Sequence, residues 1–195
     1  MKITLNQPAL AGDALPLRQV GSILTRSPAT LEKLPLGGYV ERFDISTVLA
    51  LGSAPIACVE DGELTVLRTK AAEPSTDDPF DRQHLGASAW MSDSDLLAGS
   101  DRWWRCDPKR VIANRWMAVT IAGFVVAVLR VEGLRSETGN AGQQRFAFEA
   151  ELAGRIDRLV DRSTAVWNDD VARQLLGCQL SASSGGPVAY VGSIQ

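Results

Sequence analysis

Apolar residues fall in short runs along this chain, and their character changes about halfway. In residues 101–195 the runs are filled or alternating, as strands require. "RWMAVTI" and "FVVAVLRVE" are apolar and rich in β-branched residues, which predicts two strands joined by a tight turn at Ala122–Gly123. "RFAFEAEL" alternates, with Phe146, Phe148 and Ala150 on one face and Arg145, Ala147, Glu149 and Glu151 on the other. "RIDRLVD" and "TAVW" read as weaker strands, and "CQLSASSGGPVAYVG" as strand, Ser/Gly loop, strand. On a strand "RWWRC", one tryptophan points inward and the other outward. Residues 133–144 form a polar, glycine-containing loop. Asp107 followed by Pro108 predicts the N-cap and first position of a short helix, "PKRVIAN". A second short helix, "NDDVARQLLG", has an acidic start.

The first half is more broken. Pro16, Pro28 and Pro35 cut residues 1–36 into pieces. A helix over Ala29–Leu34 is expected, with Ser27 as its cap and Pro28 at its first position. "GGYVERF" looks like a strand, Asp44 caps a helical turn "ISTVLAL", and "PIACV" and "ELTVLRT" form a hairpin around Asp61–Gly62. Asp, Ser, Pro and Ala dominate residues 71–100, which read as a linker or long surface loop with one helical turn at "SDSDLLAG". The expected fold is β-rich α+β. An N-terminal α+β module (1–70) precedes the linker (71–100) and packs with a small barrel-like domain with short accessory helices (101–195).

Composition narrows the chemistry. The 195 residues, 45% of them hydrophobic, suffice for a core without disulfides or metal. Cys58, Cys106 and Cys178 lie far apart and form no CxxC pair, so neither a disulfide framework nor structural zinc is expected, and a reducing cytoplasm is. The N-terminus has no apolar core after Lys2, and residues 117–131 fall short of a bilayer span. No membrane association is expected.

Catalytic machinery is sparse. The single histidine, His84, sits in a polar segment, and a triad needs a histidine that shuttles protons. Cys106 lies beside Arg105 and Lys109, which would lower its pKa. Asp157, Asp161, Asp169 and Asp170 supply the one arrangement open to a metal-dependent hydrolase, ranked last. No enzyme activity, metal or cofactor is expected.

The densest functional signal is "DRWWRCDPKRVIANRW". Arg102, Arg105, Lys109, Arg110 and Arg115 interleave there with Trp103, Trp104 and Trp116. Guanidinium groups neutralise phosphates and indole faces stack on bases, so the mixture suits single-stranded nucleic acid. The bland alternative is a core stretch with solvated arginines. Ser184, Gly185 and Gly186 form a candidate anion-binding loop, although the P-loop pattern with its lysine is absent. Residues 1–100 hold 8 basic against 13 acidic side chains and residues 101–195 hold 12 against 10, a balance that argues against indiscriminate coating of nucleic acid and leaves room for a local basic site in the second half.

The order "WWRCDPKRV…NRWMAVTIAGFVVAVLRVEG…RFAFEAEL…LLGCQLSASSGGPVAYV" resembles the compact β-barrels of the PUA-like superfamily, which includes EVE and ASCH domains. The resemblance covers residues 101–195. It rests on Trp103 or Trp104 before a short helix, the hairpin 117–131, Phe146 and Phe148, and Pro187 to Val191; Ala189 stands where the pattern has a basic residue. It implies a pocket that reads RNA or a modified base. The expected function is therefore non-catalytic recognition of RNA or DNA. The alternative is a protein-interaction or structural subunit of a bacterial or phage assembly, binding a partner or a second copy through the exposed-looking "FVVAVLRV".

Overall fold

The computed structural model describes residues 14–75, 82–139, 143–182 and 186–192. Most strands join one curled half-barrel sheet flanked by short helices, a β-rich α+β fold. Local caps start several of the helices. The Ser27 hydroxyl accepts from the Thr30 amide at 3.2 Å to begin α2 (Pro28–Leu31), which follows α1 (Leu17–Leu24). The single helix expected over 29–34 is two turns instead, α2 and α3 (Lys33–Leu36). Pro35 has no N–H, and its ring crowds the carbonyl four residues back, so the ladder breaks. "GGYVERF" is not a strand. Its Gly37 and Tyr39 amides close α3 on the Lys33 and Leu34 carbonyls, and Tyr39, Val40 and Phe43 are buried from a bend. Asp44 caps α4 (Ile45–Gly52) by accepting from the Thr47 amide at 2.8 Å.

The hairpin expected around Asp61–Gly62 does not form. Strand β1 (Glu63–Thr69) buries Leu64, Thr65, Val66 and Leu67 in succession, the mark of a strand covered on both faces. Its partners come from far along the chain: β5 (Trp116–Ile121) in parallel, and the last strand (Val188–Gly192) antiparallel. "PIACV" contributes only an isolated bridge, Ile56 to Gln179. Two short strands, β2 (Glu73–Pro74) and β3 (His84–Leu85), pair with each other. Helix α5 (Asp93–Ser100) starts on the Ser92 hydroxyl. Ala71, Ala87, Ser88, Met91, Leu96 and Ser100 are buried, so the described part of 71–100 packs on the body. Gly86, at φ 110°, makes this possible, because a Cβ there would lie 2.6 Å from the Lys70 carbonyl oxygen.

The second half follows the sequence more closely. After β4 (Arg102–Trp104), helix α6 (Pro108–Asn114) starts on Asp107, whose carboxylate accepts from the Lys109 and Arg110 amides. Strands β5 and β6 (Phe124–Thr138) form the expected hairpin, but β6 continues through residues 133–138, read from sequence as loop. Strand β7 (Arg145–Ile156) takes the first two residues of "RIDRLVD", and the rest is a turn leading to a 3₁₀ turn at Arg162–Thr164. Strand β8 (Ala165–Trp167), α7 (Asp170–Leu175) and β9 (Val188–Gly192) complete the chain. The sheet order is β4-β7-β6-β5-β1-β9, with β8 also on β7. Three register shifts bend the β6–β7 ribbon and curl the sheet. Phe124 to Leu129 have no solvent exposure, so "FVVAVLRV" is core, with α6 and α7 packed on β6, and not an exposed surface.

The β5–β6 turn is the tightest local constraint. Ala122 and Gly123 sit at φ 51° and 79°, the positive values that two-residue hairpin turns need. A Cβ on Gly123 would come within 2.5 Å of an Arg26 guanidinium nitrogen, and that guanidinium sits over the Phe124 ring. Gly123→Ala is expected to lower stability by about 1–3 kcal/mol, read as a shift of the urea unfolding midpoint without change of slope.

Candidate functional site

The C-terminal ends of the parallel pair β1 and β5 open into a cleft of about 580 Å3. Arg68 and Thr69 end β1 and Lys70 follows it, Thr120 comes from the end of β5, and Ala122 and Gly123 form the β5–β6 turn. Arg82, Leu85 and Gly86 form a second wall, Trp103 and Trp104 a third, with Arg145 at the start of β7. Thr30 and Lys33 of the N-terminal helices, with Gly186 and Pro187 before β9, complete the lining.

The two tryptophans share this cleft because β4 is bulged. Arg102 pairs with Ala147 and Trp104 with Phe146, so Trp103 is an extra residue in the ladder, at φ 66°. A regular strand would send the two indoles to opposite faces. The bulge sets both, half-buried, against one cavity. Positive φ at a bulky residue costs roughly 1–3 kcal/mol, strain that concentrates at functional sites. The Trp104 indole N–H donates to the Ser100 carbonyl at 2.7 Å, and the Arg82 guanidinium lies 5.9 Å over its ring. Upstream, the fully buried Asp101 carboxylate accepts from Arg102 at 2.6 Å and Arg135 at 2.9 Å.

Five basic side chains and no carboxylate line the cleft among the described residues. Three arginines are tied to backbone carbonyls of the cleft region: Arg145 to Trp103 at 3.2 Å, Arg82 to Arg102 at 3.4 Å, and Arg68 to Gly186 and Ala182. Lys70 pairs with Glu73 at the rim. Of the residues singled out in sequence, Trp103, Trp104 and Gly186 line this cleft. Arg102 instead closes on Asp101. Arg110 grips Glu63 and lies 4.0 Å over the Tyr190 ring; the shared hydrogen bonds raise the arginine's pKa and lower the glutamate's. Arg105, Lys109 and Arg115 are exposed and do not line the cleft. Ser184 and Gly185 lie outside the described residues. Lys33, Arg68, Lys70, Arg82 and Arg145 were not singled out from sequence. Arg68 carried a signal, as the basic residue near the end of the otherwise apolar strand "LTVLRT".

The remaining candidates have structural partners. Asp169 caps α7, Asp161 caps the 3₁₀ turn, Asp170 pairs with Arg173 and Asp157 with Arg155. Among the described residues no three His, Cys, Asp or Glu side chains are grouped to hold a metal ion. No described helix is long and apolar enough to cross a membrane. No family model, curated protein or solved structure matches the chain.

The Cys106 thiol is pushed up to about 12, first by burial and then by the adjacent Asp107, the opposite of the activation that Arg105 and Lys109 suggest. In the native protein at pH 8, a thiol reagent is expected to modify exposed Cys58 rapidly, with Cys106 and Cys178 reacting only on unfolding. Peptide mapping of the labelled protein reads this directly.

Proposed function

We propose that the protein binds single-stranded nucleic acid through this cleft, without catalysis. The observation that carries the proposal is the co-location of two tryptophans, brought together by a strained bulge, with five cations and no carboxylate among the described residues. Indole faces stack on bases whatever their identity, and the cations neutralise phosphates. The cleft volume is that of a small-ligand site, which suits one or two splayed nucleotides better than a duplex. RNA and modified bases remain within the proposal. The PUA-like resemblance of residues 101–195 agrees with it and does not carry it.

The proposed face shares Trp103 and Trp104 with the stretch read in the sequence but not Arg105 or Lys109, and that difference is testable. In a tryptophan-fluorescence titration with short single-stranded RNA and DNA, affinity is expected to fall by at least tenfold in Trp104→Ala and in Arg145→Glu. Arg105→Glu and Lys109→Glu are expected to change it by less than threefold, since neither lines the cleft. Log affinity should fall against log salt with a slope of roughly −0.7 per phosphate neutralised. No binding to any strand at low salt overturns the proposal.

A protein partner is the second reading, and the end of the sheet favours it. Val166 and Trp167 on β8 are 68% and 46% exposed beside a groove of about 420 Å3. Trp167→Ala would then abolish a partner contact and leave nucleic-acid affinity unchanged.

A further inference from the structure

We infer that the cleft selects uracil and thymine, which present an acceptor oxygen at position 4, over cytosine, which presents an amino donor there. This rests on the nucleic-acid reading above and concerns what that same site accepts.

The argument is an inventory of hydrogen-bonding capacity. Lys33, Arg68, Lys70, Arg82 and Arg145 carry N–H donors and no acceptor. The indole nitrogens of Trp103 and Trp104 are donors only, that of Trp104 being spent on the Ser100 carbonyl. Among the described residues the lining holds no Asp, Glu, Asn or Gln, the side chains whose oxygens accept from an exocyclic amino group. The side-chain acceptors are three threonine hydroxyls. That of Thr120 donates to the Leu67 carbonyl at 3.2 Å and that of Thr30 is engaged with Ser27 at 2.7 Å, so the lone pairs of three hydroxyls stand against a large excess of N–H donors. The backbone carbonyls of Arg102, Trp103 and Gly186 already accept from Arg82, Arg145 and Arg68.

The arginines therefore act twice: they line the cleft with donors and they occupy its carbonyl acceptors. A phosphate oxygen or a base carbonyl meets partners on several sides. The N4 amino group of cytosine, in the place of the O4 of uracil, meets donors, and burying an unpaired donor costs more than a good hydrogen bond returns. Uracil and cytosine are nearly the same size and stack alike, so this position isolates the effect.

The test compares fluorescein-labelled oligouridine and oligocytidine eight-mers by anisotropy at one low and one moderate salt concentration. The eight-mer of uridine is expected to bind about tenfold more tightly. Arg145→Gln places an amide oxygen in the lining and releases the Trp103 carbonyl; Arg145 is exposed, so folding is preserved, as circular dichroism checks. In that variant the ratio is expected to fall to threefold or less. Equal affinities, a preference for cytidine, or a preference that Arg145→Gln leaves unchanged overturns the inference while salt-sensitive binding lost in Trp104→Ala sustains the nucleic-acid reading. Failure of both strands to bind at low salt overturns both.

Discussion

Asp101 holds a charge with no solvent exposure, and the geometry around the cleft follows from how that charge is satisfied. Its two oxygens take Arg102 of β4 and Arg135 of β6, and its backbone joins α5 to β7, with its amide on the Leu97 carbonyl and its carbonyl on the Phe148 amide. One residue thereby ties a helix to three strands. Breaking such a pair leaves a buried uncompensated charge at a cost of about 3–5 kcal/mol, more than the roughly 1–3 kcal/mol of a strained backbone residue. The clamp lies two residues before Trp103, the residue at positive φ in the bulge.

A second consequence of the sheet is that the chain's halves are not separate in the site. β1, from the first seventy residues, lies between β5 and β9, so its basic end meets the tryptophans of β4. Four of the five cations in the cleft come from the half with the acidic excess. Counting charge by sequence segment does not reveal such a grouping, because charge acts through space, and the acidic residues of the first half do not appear in the described lining.

What was legible in the sequence is what is decided locally. The caps at Ser27, Asp44, Asp107 and Asp169 each bond an amide two or three residues on, and the turn at Ala122–Gly123 joins adjacent strands. The β-rich α+β class and the extent of α6 follow from such signals. The partners of β1 were illegible because they lie some fifty and more than a hundred residues away along the chain. The packing of Ala87, Ser88, Met91, Leu96 and Ser100 on the body was hidden by the polar composition around them: Ser88 and Ser100 are buried, and the Ser88 hydroxyl accepts from the Ala72 amide. The bulge at Trp103 defeated the alternation rule, since one extra residue reverses which face every later side chain takes.

Arg110 and Arg145 are held in physically different ways. Both are exposed arginines with fixed guanidinium groups. Arg110 is fixed by a carboxylate, Glu63, and stacked on Tyr190; its charge is answered within the fold and its ordering serves α6. Arg145 is fixed by a neutral carbonyl, that of Trp103, so it is oriented without a counter-charge from that contact. Orientation in advance removes part of the entropy cost that a ligand would otherwise bear. A neutral anchor also leaves an anion's attraction intact, which an ion pair does not. The same hydrogen bond engages a carbonyl of the cleft wall, so in the proposed reading the feature that would ready the cleft for phosphate would also make it a poor host for an amino group.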